Sequence, residues 1–213
     1  MIRHLGAPAA SAADRPSADR GSRTVCVGGR RHTGLVTTGI ALFDTALGTC
    51  AIAWRAAGIV GVQLPEGSPE STRQRLEHCF PDAVEHQPPA PIQRAIDGIR
   101  EHLGGALDDL RWIDLDFEGV PEFDCHVYDI TRAIDPGTTL TYGDIAAELG
   151  KPGAAQAVGQ ALGRNPLPVV IPCHRVLAAG GQVGGFSAGG GTLTKRELLA
   201  LEHTPGFDDP VLF

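Results

Sequence analysis

The chain is 213 residues long, 42% hydrophobic and 20% charged, with a formal net charge of −7. That length holds one large domain or two small ones, and the composition is that of a soluble globular protein. The acidic balance excludes a protein that grips nucleic acid by bulk electrostatics, so any DNA contact must come from a local, strongly salt-dependent surface. Cys26, Cys50, Cys79, Cys125 and Cys173 are odd in number, scattered and free of CxxC pairs. They argue against a disulfide framework or a Cys-rich zinc site and for a reducing, cytoplasmic setting; no metal and no cofactor is expected. No segment approaches a membrane span. Arg30-Arg31 precedes an apolar stretch, as in a twin-arginine export signal, but Asp44 interrupts that stretch and it alternates like a strand.

Residues 1–31 are rich in Ala, Ser, Arg, Asp and Gly without periodicity and read as a disordered leader. An N-terminal α/β domain is expected over residues 32–118. Its β-type runs are Leu35–Phe43, Cys50–Trp54 and Ile59–Leu64, with turns at Gly48 and Ala57-Gly58. Ser68 caps a helix to about Phe80, with Glu70 in its first turn. Glu85 to Pro91 reads as a linker. A second helix follows, with Ile92, Ile96, Ile99 and Leu103 on one face. Trp112 to Phe117 alternates as a strand.

From residue 119 to 213 the pattern predicts a mainly α-helical domain. Phe123, Val127, Tyr128 and Ile130 stripe a helix that ends by Asp135-Pro136-Gly137, and Cys125-His126 reads as ordinary helix content. Thr141 caps the next helix, with Asp144 completing an approximate capping box and Tyr142, Ile145, Ala146 and Leu149 on one face. Gly150-Lys151-Pro152-Gly153 turns the chain into a helix from Ala154 to Leu162. Two short helices joined in this way describe a helix-turn-helix. The outer face of the second is Ala155, Gln156, Gly159 and Gln160, with no basic row. Such a face lets a backbone approach a narrow groove, or merely permits close helix–helix packing. The cations available to meet phosphates are Lys151, Arg164, Arg175, Lys195 and Arg196.

The chemistry concentrates at Ile171-Pro172-Cys173-His174-Arg175-Val176, inside the apolar run Pro168 to Leu177. A thiolate is a strong nucleophile, and a neighbouring His or cation lowers its pKa while apolar surroundings raise it. An isolated Cys-His pair can equally be plain core, because free Cys is among the most buried residue types. Sequence neighbours do not easily form a direct, aligned hydrogen bond, so adjacency suggests a relay through water. In the last helix Lys195, Leu198, Leu199 and Glu202 follow one face, which puts a carboxylate where burial is expected. It must be paired or neutralised there, and His174 is a candidate partner; capping of a neighbouring loop is the alternative. Gly180 to Gly191 lacks the context of a phosphate loop or dinucleotide fingerprint and reads as a loop closing over a pocket.

Together these residues resemble the O6-alkylguanine-DNA alkyltransferase (methylated-DNA–protein-cysteine methyltransferase) family. The resemblance runs through Thr141-Tyr142, Ala154 to Gly159, Asn165-Pro166, Ile171 to Val176, Gly185-Phe186-Ser187 and Lys195 to Glu202, covering roughly Pro121 to His203. It implies a ribonuclease-H-like N-terminal domain, and repair of double-stranded DNA carrying O6-alkylguanine by irreversible, single-turnover transfer to Cys173. His174 would be the base through water and Glu202 its orienting partner. Tyr142 would bond the flipped guanine near N3, and Asn165 would brace the turn carrying Cys173. Ser187 would lie near O6, Lys195 would support the backbone, and Pro168 and Phe186 would wall the pocket. Thr141, Ala155, Gln156, Gly159, Arg164 and Arg175 would form the DNA-contacting set. A base stacked in a duplex cannot reach such a thiol and must be flipped out.

Two positions depart from the family pattern. Gln156 stands where an arginine usually fills the space left by the flipped base, and Gln lacks the charge and planar stacking cation. Phe186 stands where Tyr is common and removes a polar group from the pocket. A monomer with no membrane partner is expected. The competing functions are a lesion-binding module that accepts no alkyl group, a helix-turn-helix regulator and a thiol hydrolase. The presence of Cys173 counts against the first, and no appended effector domain or assignable oxyanion hole supports the others.

Overall fold

The computed structural model describes residues 37–185 and 191–207. The leader expected over 1–31 and the side chains of Phe186 and Ser187 lie outside them. Strands β1 (Gly39–Thr45), β2 (Gly48–Arg55) and β3 (Gly58–Gln63) form the expected antiparallel meander. Helix α1 (Pro69–Cys79) starts on Ser68, whose hydroxyl accepts from the Ser71 amide. After it comes β4 (Val84–Glu85), which pairs parallel with Gly39-Ile40 and completes the order β3-β2-β1-β4. The expected linker therefore starts with a strand; two residues are too few to show a period.

The two faces of the sheet do different work. Ile40, Ala51, Ala53 and Val60 point to one side, where Leu76 of α1 covers them. Ala41, Phe43, Cys50, Ile52 and Trp54 point to the other, beneath α2 (Ala90–Leu103), whose Ile92, Ile96, Ile99 and Leu103 are all buried. Each such side chain contributes ~1.5–3 kcal/mol on burial. This second face runs without a break into the core of the C-terminal half.

Trp112 to Phe117 is not the strand its alternation predicts. It makes a single parallel bridge, Ile59 to Leu115, through Ile59 N to Asp114 O (3.0 Å) and Asp116 N to Ile59 O (2.9 Å). The contact is intimate: a Cβ on Gly58 would lie 2.6 Å from the Asp114 carbonyl oxygen. The segment is instead held by Arg132, whose guanidinium donates to the carbonyls of Leu110, Arg111 and Ile113. Of the segment's own carbonyls Arg132 takes that of Ile113, and turns closed by Ile113 N to Leu110 O and Val120 N to Phe117 O bound the segment on either side, which leaves room for the one bridge.

The C-terminal half is helical. Helix α3 (Glu122–Arg132) packs on α4 (Tyr142–Glu148) and α5 (Ala155–Gly163). The capping box is complete: Asp144 N donates to Thr141 Oγ1 and Thr141 N to Asp144 Oδ2. That cap fixes Tyr142 as the first helical residue. A 3₁₀ turn at Cys173–Arg175 leads into β6 (Val176–Leu177), which pairs parallel with β5 (Leu140–Thr141). This short ladder brings Tyr142 alongside the Cys173 turn. Helix α6 (Thr192–Leu201) ends on Glu202. Among the described residues no helix is long and apolar enough to cross a membrane.

Candidate active site

The Cys173 turn is braced from within the chain. Asn165 Nδ2 donates to Ile171 O (2.9 Å), while its Oδ1 accepts from Leu167 N (2.9 Å). Ile171 N closes back on Leu167 O at 2.8 Å, and Cys173 N on Ile171 O at 2.7 Å. Val169, within this turn, has φ of 74°, a costly conformation for a β-branched residue. Strain there is held by buried neighbours on both sides, Pro168 included. From the other half of the molecule, Val62 N of β3 donates to Pro166 O at 2.9 Å.

Cys173 is 6% exposed, and burial pushes its thiol pKa up. The Asn165 side chain, the Lys195 charge and the Cys173 and His174 amides act against that rise. Lys195 is itself buried on α6; Nζ donates to Val176 O (2.6 Å) and Cys173 O (3.4 Å). Burial lowers its pKa, and Cys173 partly restores it. The ammonium also sits 5.9 Å from the centre of the Tyr142 ring. Tyr142 lies close to the backbone of Gly184, where a Cβ would come within 3.0 Å of the phenol oxygen. A desolvated phenol, an ammonium and a thiol thus share one small site.

Glu202 is 2% exposed, on the face of α6 that its spacing predicts. Its Oε1 receives His174 Nε2 (2.9 Å) and Arg175 Nη2 (2.7 Å), and its Oε2 receives Arg175 Nε (2.9 Å). Burial pushes the carboxyl pKa up, but His102, His174 and Arg175 together hold it well below the usual carboxylate range. Glu202 is therefore ionised, and His174 donates to it from Nε2. The Nδ1 atom then keeps its lone pair. It is buried, with no hydrogen-bond partner among the described residues. Burial lowers the His174 pKa, against the pull of Glu202, so the resting imidazole is neutral and able to accept a proton.

Two expectations about cations need correction. Arg175 is 1% exposed and spends its guanidinium on Glu202 and the Ile134 carbonyl, so it cannot meet a phosphate. Lys195 is equally enclosed. Both lie in apolar surroundings where an unpaired charge would be prohibitive, and each has found fixed acceptors. Of the five candidate cations, Lys151, Arg164 and Arg196 are exposed. Arg164 is 58% exposed while donating through Nε and Nη2 to the buried Asp124. Gln156 is exposed, and Thr141, Ala155 and Gly159 are half-buried.

The sequence reading missed His102, on the last turn of α2. It is fully buried, with Nε2 3.2 Å from Glu202 Oε1. Its only sequence signal is an imidazole between the buried Ile99 and Leu103. Among the described residues no group of three or more His, Cys, Asp or Glu side chains is placed to hold a metal ion.

Fold and site define a protein built around one buried, activatable thiol in a helical domain. Residues 122–204 match the model of the 6-O-methylguanine DNA methyltransferase DNA-binding domain. A methylated-DNA–protein-cysteine methyltransferase of Mycobacterium tuberculosis is 34% identical over 170 residues, which cover 80% of this chain and 95% of that protein. Its namesake in Methanothermobacter thermautotrophicus is 35% identical over 151 residues, 71% of this chain and 77% of that one. The crystal structure of Mycobacterium tuberculosis OGT in complex with DNA superposes with a TM-score of 0.64 at 29% identity, covering 79% of this chain and 96% of that one. The O6-methylguanine-DNA methyltransferase of Pyrococcus kodakaraensis gives 0.60 at 27% identity, over 78% and 99%. The chain belongs to the methylated-DNA–protein-cysteine methyltransferase family.

Proposed function

We propose that this chain is a DNA repair protein that takes the alkyl group of O6-alkylguanine onto Cys173, once per molecule. The observation that carries the reading is the buried Glu202–His174 pair beside Cys173, with His174 Nδ1 left free as a base. In the reaction the thiol proton passes through a water to His174 Nδ1. The sulfur pair attacks the alkyl carbon as the carbon–O6 bond breaks, and the electrons leave with the guanine. Tyr142, whose phenol burial keeps protonated, donates to the departing base near N3, relieving its charge. Lys195 and the Asn165 brace hold the backbone around the sulfur. Pro168 is part of the pocket wall, and Ser187 and Phe186 are assigned to it by family likeness.

DNA is the partner, met through α4 and α5, which we read as a helix-turn-helix presenting Thr141, Ala155, Gln156 and Gly159, flanked by Arg164. The N-terminal half reads as ribonuclease-H-like, supported by its order β3-β2-β1-β4 with β4 parallel to β1. We place the domain division near residue 118, behind a leader over 1–31. Action as a cytoplasmic monomer fits the reduced cysteines Cys50, Cys79, Cys125 and Cys173 and the scattered exposed apolar residues.

The test is to incubate the protein with an O6-methylguanine duplex and map its peptides by mass spectrometry. A methyl group on Cys173, absent in Cys173→Ala with lesion binding retained, is the expected result. Lesion binding with no methyl on Cys173 would make the chain a recognition module instead.

A further inference from the structure

We infer that His102 is a positioning residue for alkyl transfer: from the N-terminal half it holds the Glu202 carboxylate in the orientation that aims His174 at Cys173. The inference rests on the reading of Cys173, His174 and Glu202 given above. His102 Nδ1 accepts the backbone N–H of Asp108 at 3.3 Å, which leaves the imidazole proton on Nε2. In that tautomer His102 can serve Glu202 only as a donor, and it does so at Oε1, the oxygen that also receives His174.

Charge balance alone does not call for this bond, because Arg175 already lies across both oxygens of Glu202. What His102 adds is direction. Arg175 and His174 sit together on one 3₁₀ turn, whereas His102 reaches Glu202 from α2. With donors arriving from both elements, the carboxylate cannot rotate without breaking a buried, charge-assisted bond. A leucine would fill a core position flanked by Ile99 and Leu103 equally well, so packing does not explain an imidazole there. The same half of the molecule holds the other end of the site, through Val62 N to Pro166 O.

His102 also shares out the charge of Glu202. The groups facing His174 are Glu202 from the end of α6, its neighbours Arg175 and Cys173, and His102 from α2; Asp108 lies beyond His102. Removing the His102 donor leaves more of the carboxylate charge on His174 Nε2–H and makes His174 more basic.

Single-turnover methyl transfer to Cys173 is measured across pH for the full chain and for His102→Leu and His102→Gln, with lesion binding and thermal unfolding followed in parallel. The Leu variant is expected to slow transfer about tenfold, one charge-assisted hydrogen bond's share of the barrier, with lesion binding unchanged. The acid limb of its pH profile should move up. Gln, whose amide nitrogen can stand in for Nε2, should restore most of both. In the unaltered protein, 15N NMR should show the His102 proton on Nε2. A folded Leu variant with unchanged rate and acid limb overturns the inference, as does a Gln variant no better than Leu, or a proton found on Nδ1. If the unaltered protein leaves Cys173 unmethylated, the site reading itself falls, while the NMR measurement still decides whether His102 donates to Glu202.

Discussion

Glu202 stands at the C-terminal end of α6, where the helix dipole is already negative, and a buried carboxylate there survives only because cationic and polar donors converge on it. Removing its charge should therefore be costly. In Glu202→Gln the Arg175 guanidinium keeps its burial and loses its counter-charge, at an expected cost of about 3–5 kcal/mol. For a chain of this size that lowers Tm by on the order of 6–20 °C, read by differential scanning fluorimetry. Transfer should fall as well, because His174 loses the anion that stabilises its protonated form. A Tm within about 2 °C of the unaltered protein would show that Arg175 is satisfied elsewhere. The acceptor side of the site follows the same physics. Burial favours the thiol form of Cys173 and the neutral form of His174, so the proposed transfer requires the thiol proton to leave as the sulfur attacks.

At the scale of elements, the capping box on α4 and the short β5–β6 ladder act together. One fixes Tyr142 at the first helical position, and the other sets that position beside the Cys173 turn. Helix α5 then presents Gln156 outward with no cation on its own exposed face. A neutral amide can occupy the space of an extruded base, but it contributes neither phosphate attraction nor a stacking cation. The expected result is a marked preference for lesions in single-stranded DNA or weakened pairs. Gln156→Arg should raise the rate on a fully paired O6-methylguanine duplex several-fold while leaving single-stranded repair unchanged, since one cation–π contact is worth ~0.5–2 kcal/mol. Equal rates of the two proteins on duplex would show that base extrusion does not depend on this side chain.

For the whole molecule, buried ionisable groups set the pH range of stability. The folded pKa of His174 lies below its ordinary 6.5, so as pH falls through 6.5 the unfolded chain takes up a proton that the fold excludes, and stability drops. Glu202, depressed from 4.5, adds a further loss on the acid side as pH falls through its folded pKa. In base the sign reverses. Burial pushes Cys50 from 9.0 up to about 11 and raises Cys173, so above pH 9 the unfolded chain ionises first and stability declines. Tyr128 and Tyr142, raised from 10.0, act in the same direction, while Lys195, lowered from 10.5, opposes them. Urea unfolding at pH 5, 7.5 and 10.5 should give the highest midpoint at 7.5; a midpoint that rises steadily to 10.5 would contradict these burial assignments. Much of this was legible in sequence because it is local. The stripe of α2, the Thr141–Asp144 box and the misplaced carboxylate at Glu202 each show within a few residues, where helical period and capping chemistry act. The strands β4, β5 and β6 were not legible, since two-residue pairings carry no period, and Trp112 to Phe117 is cut to a single bridge by the turns that bound it. Arg175 read as a surface cation because nothing nearby in sequence reveals its partner, and His102 drew no notice for the same reason. The residue pattern was enough to place the helices, to single out Cys173 as the candidate nucleophile and to call for a partner at Glu202. Which partners those are comes from the packing, because Glu202 lies 27 residues from Arg175 and 100 from His102, and a contact across such a span is set by how the two halves meet.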